Sequence, residues 1–291
     1  MSKKIAGCLL FLFILAAMVP VSQSYAADSQ GRDLSKFFTA NDYFDFEWIS
    51  DPRISPCGKK IVYVRNFADI LSDQFYSNLW IVDFDGKENR PLTSGLSHDG
   101  SPRWSPDGSM IVYISDKDGK PQMYKRWMDT EQTVMLTNLL FPPSGVSWSS
   151  DGKWIAFSAP VPSMPRTIAQ LPPVPPGARW APPATIIDKT IYRFDGIGYQ
   201  ISKGYTQVFV MPSEGGTPRQ ITHGNFHHPY GAFGDAGLSW TPDNKHIILS
   251  ANRRQDWELN TMDTELYEVG VADGKIRALT DRRGGDGSPV V

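Results

Sequence analysis

Two stretches hold residue types that could do chemistry. "THGNFHHPYG" places His223, His227 and His228 within six positions, and three imidazoles so close could bind zinc. "RRQDWELNTMDTE" sets Asp256, Glu258, Asp263 and Glu265 close to Arg253 and Arg254. Carboxylates in such a loop could hold a peptide amine, and guanidiniums a carboxylate or carbonyl. A third chemistry needs a serine on a strained turn between two glycines, G-x-S-x-G. "GVSWS" (Gly145 to Ser149) and "GLSWT" (Gly237 to Thr241) each lack the second glycine. No C-x-x-C or H-E-x-x-H accompanies the histidines, so they read first as solvated loop residues, with metal binding as the alternative. The charged loop reads first as an exposed, mutually neutralising segment. No catalytic residue and no cofactor is expected. Arg253, Arg254, Asp256 and Glu258 stand as candidate substrate-gating or binding residues.

The elements that position these loops come from a repeat. "ISPCGKKIVYV" begins at Ile54, "WSPDGSMIVYIS" at Trp104, "WSSDGKWIAFSA" at Trp148 and "WTPDNKHIILSA" at Trp240. Each is a short strand, a turn and a strand of β-branched or aromatic residues. Pro106 presets the turn, and Gly108 supplies the positive φ that closes it. Asn244 takes that place in the fourth copy. Cys57 holds the turn position of Asp107 and Asp151, and nothing marks it as reactive. A second hairpin follows each copy, as in "LWIVDFDGKENRPLT", "VFVMPSEGGTPRQIT" and "LYEVGVADGKIRALT". These end in Leu-Thr or Ile-Thr. The second copy, "QMYKRWMDTEQTVMLT", has a less regular turn.

Two hairpins per repeat make four strands, and Trp104 to Trp148 spans 44 residues. That spacing predicts an all-β protein with β-propeller blades at 54–93, 104–137, 148–222 and 239–280. The recurring tryptophans read as packing between blades. The third blade carries a proline-rich insertion over 160–205, too rich in proline for helix or central strand. "NDYFDFEW" reads as a short helix leading into a strand, within a lead-in at 27–53. Near the C-terminus "DGSPVV" matches "DGSPRW" at 99–104, so 286–291 reads as the start of a further blade of an incomplete ring. Four blades cut from a larger ring would expose sheet faces and favour aggregation.

Bulk properties agree with this reading. The 291 residues suffice for one large domain, and 41% are hydrophobic. Lys3 and Lys4, the apolar run from Cys8 to Val19, and Ser24-Tyr25-Ala26 read as a signal peptide at 1–26 cut after Ala26. The run is shorter than the roughly 20 residues of a spanning helix, so no stable membrane anchor is expected. Removing it leaves one cysteine, Cys57, and hence no intrachain disulfide. The remaining 27 basic and 31 acidic side chains argue against a nucleic-acid partner. The expected location is secreted or periplasmic.

The tandem "WSPDGK-x-I-x-F" phrase resembles the propellers of TolB-like proteins and of the prolyl oligopeptidase family. "NDYFDFEWISDPRISPCGKKIVYV", "IIDKTIYRFDGIGY" with "QVFVMPSEGGTPRQIT", and "ANRRQDWELNTMDTELYEV" are similar to the acylaminoacyl-peptidase branch of that family. The resemblance covers about Thr39 to Val291. It implies a propeller that admits short peptides to a C-terminal α/β-hydrolase domain with a Ser-Asp-His triad. None of the triad positions lies within these residues, so this chain is expected to be inactive alone. Its partner would be a peptide substrate reached through that missing domain. In the dipeptidyl-peptidase branch an acidic run after Asp-Trp holds the substrate amine. Asp256-Trp257-Glu258 resembles it, although Leu259 and Asn260 interrupt the run. The alternatives are a standalone TolB-like periplasmic binding module, and a metal enzyme built on the three histidines.

Overall fold

The computed structural model describes residues 38–163, 172–181, 186–187, 189–194, 198–199, 204–230 and 237–291. The expected signal peptide, its cleavage site and much of the proline-rich insertion lie outside them. The chain divides into two units, Met1–Tyr43 and Phe44–Val291. Among the described residues no helix is long and apolar enough to cross a membrane.

A 3₁₀ helix covers Ala40–Asp45. The first sheet holds β1 (Glu47–Ile54), β2 (Lys60–Asp69), β3 (Gln74–Asp83) and β4 (Arg90–Pro91). Its first strand therefore begins inside the segment read as lead-in. The second sheet holds β5 (Gly100–Trp104), β6 (Met110–Ser115), β7 (Gln122–Trp127) and β8 (Thr133–Met135). The third holds β9 (Ser144–Trp148) and β10 (Trp154–Val161), then β13 (Tyr205–Pro212) and β14 (Arg219–Gln220). Between them a small hairpin, β11 (Arg193–Phe194) and β12 (Gly198–Tyr199), forms a sheet of its own. The fourth holds β15 (Ser239–Trp240), β16 (His246–Ala251), β17 (Glu265–Gly270) and β18 (Ile276–Ala278). All four large sheets are antiparallel meanders in sequence order, the architecture of propeller blades.

The turn chemistry explains why each hairpin closes. Gly58, Gly108 and Gly152 have φ of 72°, 73° and 69°, and Asn244 has 57°. A hydroxyl two residues before the turn's acid donates to it: Ser105 to Asp107 and Ser149 to Asp151 at 2.6 Å, Thr241 to Asp243 at 2.7 Å. These bonds hold the three carboxyls below the ordinary aspartate range. The exposed Cys57 takes that place beside Ser55, whose hydroxyl lies 3.4 Å from the sulfur.

The fourth strands end in a second recurring bond. Thr93, Thr137, Thr222 and Thr280 each accept at Oγ1 from the backbone N–H fourteen residues earlier, on Leu79, Met123, Val208 and Leu266, at 2.8–3.0 Å. Three of these hydroxyls donate in turn to Gln122, Gln207 and Glu265.

Cores form between sheets. Val62, Val64, Leu79 and Ile81 pack on Ile111, Tyr113 and Tyr124, joining the first blade to the second. Val112 and Met123 meet Ile155, Phe157 and Met211. Ala156, Val208 and Val210 meet Ile247, Leu249 and Val269. Buried Lys125 crosses from the second blade to the third, donating to the Ser213 carbonyl at 2.8 Å.

The "DGSP" phrase recurs in conformation as well as in letters. Ser101 and Ser288 have φ of 53° and 51°. Ser77 Oγ donates to Asp99 O and Thr264 Oγ1 to Asp286 O, both at 2.9 Å. The backbone N–H of each aspartate returns the bond to the same partner at 2.9 and 2.8 Å.

Candidate functional site

In an antiparallel four-stranded blade, the loop after the second strand and the loop leaving the fourth lie at the same end. For the third and fourth blades the described parts of these loops include 189–194, 221–230 and 252–264. The histidine stretch, the charged stretch and the end of the insertion are thereby brought to one face. Trp257 meets His227 edge-on, with centroids 5.8 Å apart, and Tyr230 at 6.0 Å. Tyr205 stands 5.2 Å from the same imidazole. Arg253 lies over Phe226 and Tyr267, 5.7 and 5.5 Å from the ring centroids. Glu258 accepts from the Thr190 N–H at 2.7 Å, and Lys189 sits 4.4 Å from the Tyr205 centroid.

The reading of the histidines as solvated loop residues does not hold for two of the three. His228 is fully buried and His227 half-buried; only His223 is exposed. Gln207, on the third strand of the same blade, is the cause. Its Nε2 donates to the carbonyls of Gly224 and Phe226, both at 3.0 Å. Its Oε1 accepts from Thr222 and faces His228 Nδ1 at 3.2 Å. With the amide so oriented, Nδ1 must carry the proton, and His228 Nε2 keeps a lone pair. That nitrogen has no partner among the described residues. His227 Nδ1 accepts from the Thr206 N–H at 3.1 Å, so its proton is on Nε2. Burial pushes both imidazoles down to about 4; Lys189 adds to the effect at His227, and Arg253 then His227 at His228. His223 turns away, with Nδ1 3.1 Å from Gln220. Among the described residues no group of three or more His, Cys, Asp or Glu side chains is placed to hold a metal ion.

The charged stretch neutralises itself only in part. Arg254 pairs with Asp256 at 3.4 Å and with Asp263 at 3.2 Å. Asp256 also accepts from Asn260 at 2.5 Å, and Asp263 from the Gly284 N–H at 2.9 Å. Arg253 makes ring contacts only, without a hydrogen bond or ion pair among the described residues. Glu265 accepts from Thr280 and the Arg282 N–H, so among the described residues each acid of the stretch is engaged and Arg253 is left without a counter-ion.

The first strands of all four blades line an open cleft of ≈ 530 Å³, with Arg53, Trp104, Trp148, Trp240 and Val291 in its wall. The recurring tryptophans do more than pack. Trp104 Nε1 donates to Arg53 O at 3.0 Å, Trp148 to Arg103 O at 3.1 Å and Trp240 to Ser147 O at 3.3 Å. Each indole reaches the equivalent carbonyl one blade back.

Comparison with known proteins agrees with this geometry. Residues 43–164 match the TolB beta propeller domain. That match runs over the first two sheets and the first two strands of the third. The chain is related to peptidases of which it covers a fraction. It is 26% identical over 224 residues to the uncharacterized peptidase YuxL of Bacillus subtilis, covering 75% of this chain and 32% of that protein. To dipeptidyl-peptidase 5 of Porphyromonas gingivalis it is 23% identical over 282 residues, 93% of this chain and 39% of the relative. The chain superposes on an acylaminoacyl peptidase of Pyrococcus horikoshii with a TM-score of 0.55 at 16% identity, covering 82% of this chain and 33% of that one. The chain thus spans between about a third and two fifths of the length of these relatives.

Proposed function

We propose that the chain is the propeller portion of a secreted or periplasmic serine peptidase of the prolyl oligopeptidase family. In that protein it admits short peptides to a hydrolase domain that follows it. The observation that carries this reading is the match to a dipeptidyl-peptidase along 93% of this chain but 39% of the relative. The shared conformation of 99–101 and 286–288 supports reading 286–291 as the lead-in to a further blade. The chemistry would be acyl transfer through a serine nucleophile supplied by the hydrolase domain. The propeller contributes recognition, and Arg253, Arg254, Asp256 and Glu258 lie on the loop that would meet peptide.

The coding sequence after codon 291 tests this directly. A frame that continues through further propeller strands to a G-x-S-x-G turn supports the reading. A stop codon at that point overturns it in favour of a standalone TolB-like binding module. Hydrolysis of aminoacyl or acylaminoacyl substrates by the purified 291-residue chain, free of contaminating protease, would also count against it.

A further inference from the structure

The face that joins the histidine loop to the charged loop has a chemical asymmetry. Every acid of the charged loop is already engaged: Asp256 and Asp263 with Arg254, Glu258 with the Thr190 N–H, Glu265 with Thr280. Arg253 is half-buried between Phe226 and Tyr267 and has no counter-ion among the described residues. Lys189 rests on the Tyr205 ring, likewise without an ion pair among them. Three donors cluster around the His227 ring. His227 Nε2–H, the Tyr230 hydroxyl and the Trp257 indole N–H have no acceptor among the described residues, while their rings pack within 6.0 Å of one another. The adjoining imidazole of His228 is fully buried and neutral, its Nε2 without a partner among the described residues. Among the described residues the cations that act on the two histidines are Lys189 and Arg253, with no carboxylate beside them. A desolvated cation with no partner is costly, and an incoming anion relieves that cost.

We propose that Arg253, Lys189, His227, Tyr230 and Trp257 form a subsite for a carboxylate borne on an aromatic or apolar residue, as at the C-terminus of a peptide. Arg253 takes the carboxylate as a two-pronged donor, and the rings of Tyr230 and Trp257 take the side chain. The ligand's being a peptide rests on the function proposed above; its carrying a carboxylate rests on the site alone.

The test is calorimetric titration of the full chain with Ala-Ala-Phe, its C-terminal amide, N-acetyl-phenylalanine, and an amidated peptide whose only carboxylate is an aspartate side chain. The free-acid peptide should bind at least about tenfold tighter than its amide, as expected for losing a charge-assisted pair. Arg253→Gln should abolish that preference, and Arg253→Lys should retain part of it. In a nitrogen-15 titration of the imidazoles, the bound acid should raise the protonation point of His227. Acid and amide binding equally, no binding of either, or an unchanged preference in Arg253→Gln would each overturn the proposal. If Arg253→Gln does not fold, an imidazole titration unmoved by the acid peptide overturns it equally. Tighter binding of the aspartate peptide than of the C-terminal acid would overturn the assignment to a chain end. A stop after codon 291 with carboxylate preference intact would remove the peptidase and leave this subsite standing.

Discussion

The indole Nε1 of Trp148 donates to the backbone carbonyl of Arg103, one blade back, at 3.1 Å. Trp104 and Trp240 make the same reach to Arg53 and Ser147. The tryptophan is thus both an apolar wedge and a polar latch, which accounts for its return at one position of the repeat. Trp148→Phe keeps most of the ring and loses the latch. It should cost about 1–2 kcal/mol, as for a carbonyl left without its donor. Trp148→Ala adds a cavity and should cost about 3–5 kcal/mol. Urea midpoints of the two variants separate the effects; a phenylalanine variant as stable as the parent would show that the N–H contributes nothing.

Thr137 tests the recurring bond of the fourth strands. Its hydroxyl accepts from the Met123 N–H at 3.0 Å and donates to Gln122 at 2.8 Å, all of it buried. Thr137→Val is nearly isosteric and strands both groups, for an expected loss of about 1–3 kcal/mol. Thr137→Ser should recover most of it. A valine variant as stable as the parent would show that the two hydroxyl bonds contribute nothing.

Glycine in the turns gives a graded pair. Gly274 has φ of +67°, and a Cβ there would meet the Ile221 carbonyl oxygen at 2.7 Å, on the neighbouring blade. Gly86 has φ of +85° with nothing within 4 Å. Gly86→Ala should therefore cost only the left-handed backbone, about 1–2 kcal/mol. Gly274→Ala adds a clash and should cost clearly more. Thermal melts of the two variants make the comparison, and a Gly274 variant no worse than the Gly86 one would argue that the blades shift freely.

What could be read from sequence followed the range of each interaction. The turns were legible because Ser105, Asp107 and Gly108 are neighbours in the chain and sufficient to close a hairpin. The threonine ends were visible as a recurring Leu-Thr or Ile-Thr, although not the N–H they satisfy fourteen residues away. His228 was misread because its burial depends on Gln207, on another strand, whose amide anchors the loop from below. A polar, histidine-rich string looks solvated until that anchor is known. The charged loop reads as self-neutralising because its four acids lie close in sequence to Arg253 and Arg254. Geometry assigns both acids nearest Arg254 to that residue and leaves Arg253 on aromatic rings. Pairing within the loop holds for Arg254 and fails for Arg253, the guanidinium nearest the histidines.

Acid should loosen this face before it unfolds the rest. His227 and His228 titrate near 4 in the folded chain, below the ordinary value of 6.5 they regain on unfolding. The unfolded state therefore binds more protons between those values, so stability is complete above about pH 6.5 and falls as pH drops toward 4. Each histidine should contribute a loss of roughly 2–3 kcal/mol over that window. His228→Asn keeps a donor toward Gln207 and removes the titrating ring. The variant should be less stable than the parent at pH 7.5, with a shallower dependence of the urea midpoint on pH from 6.5 to 4.5. An unchanged slope would mean that His228 reaches solvent and protonates without cost, and the buried, single-tautomer imidazole described above would be wrong.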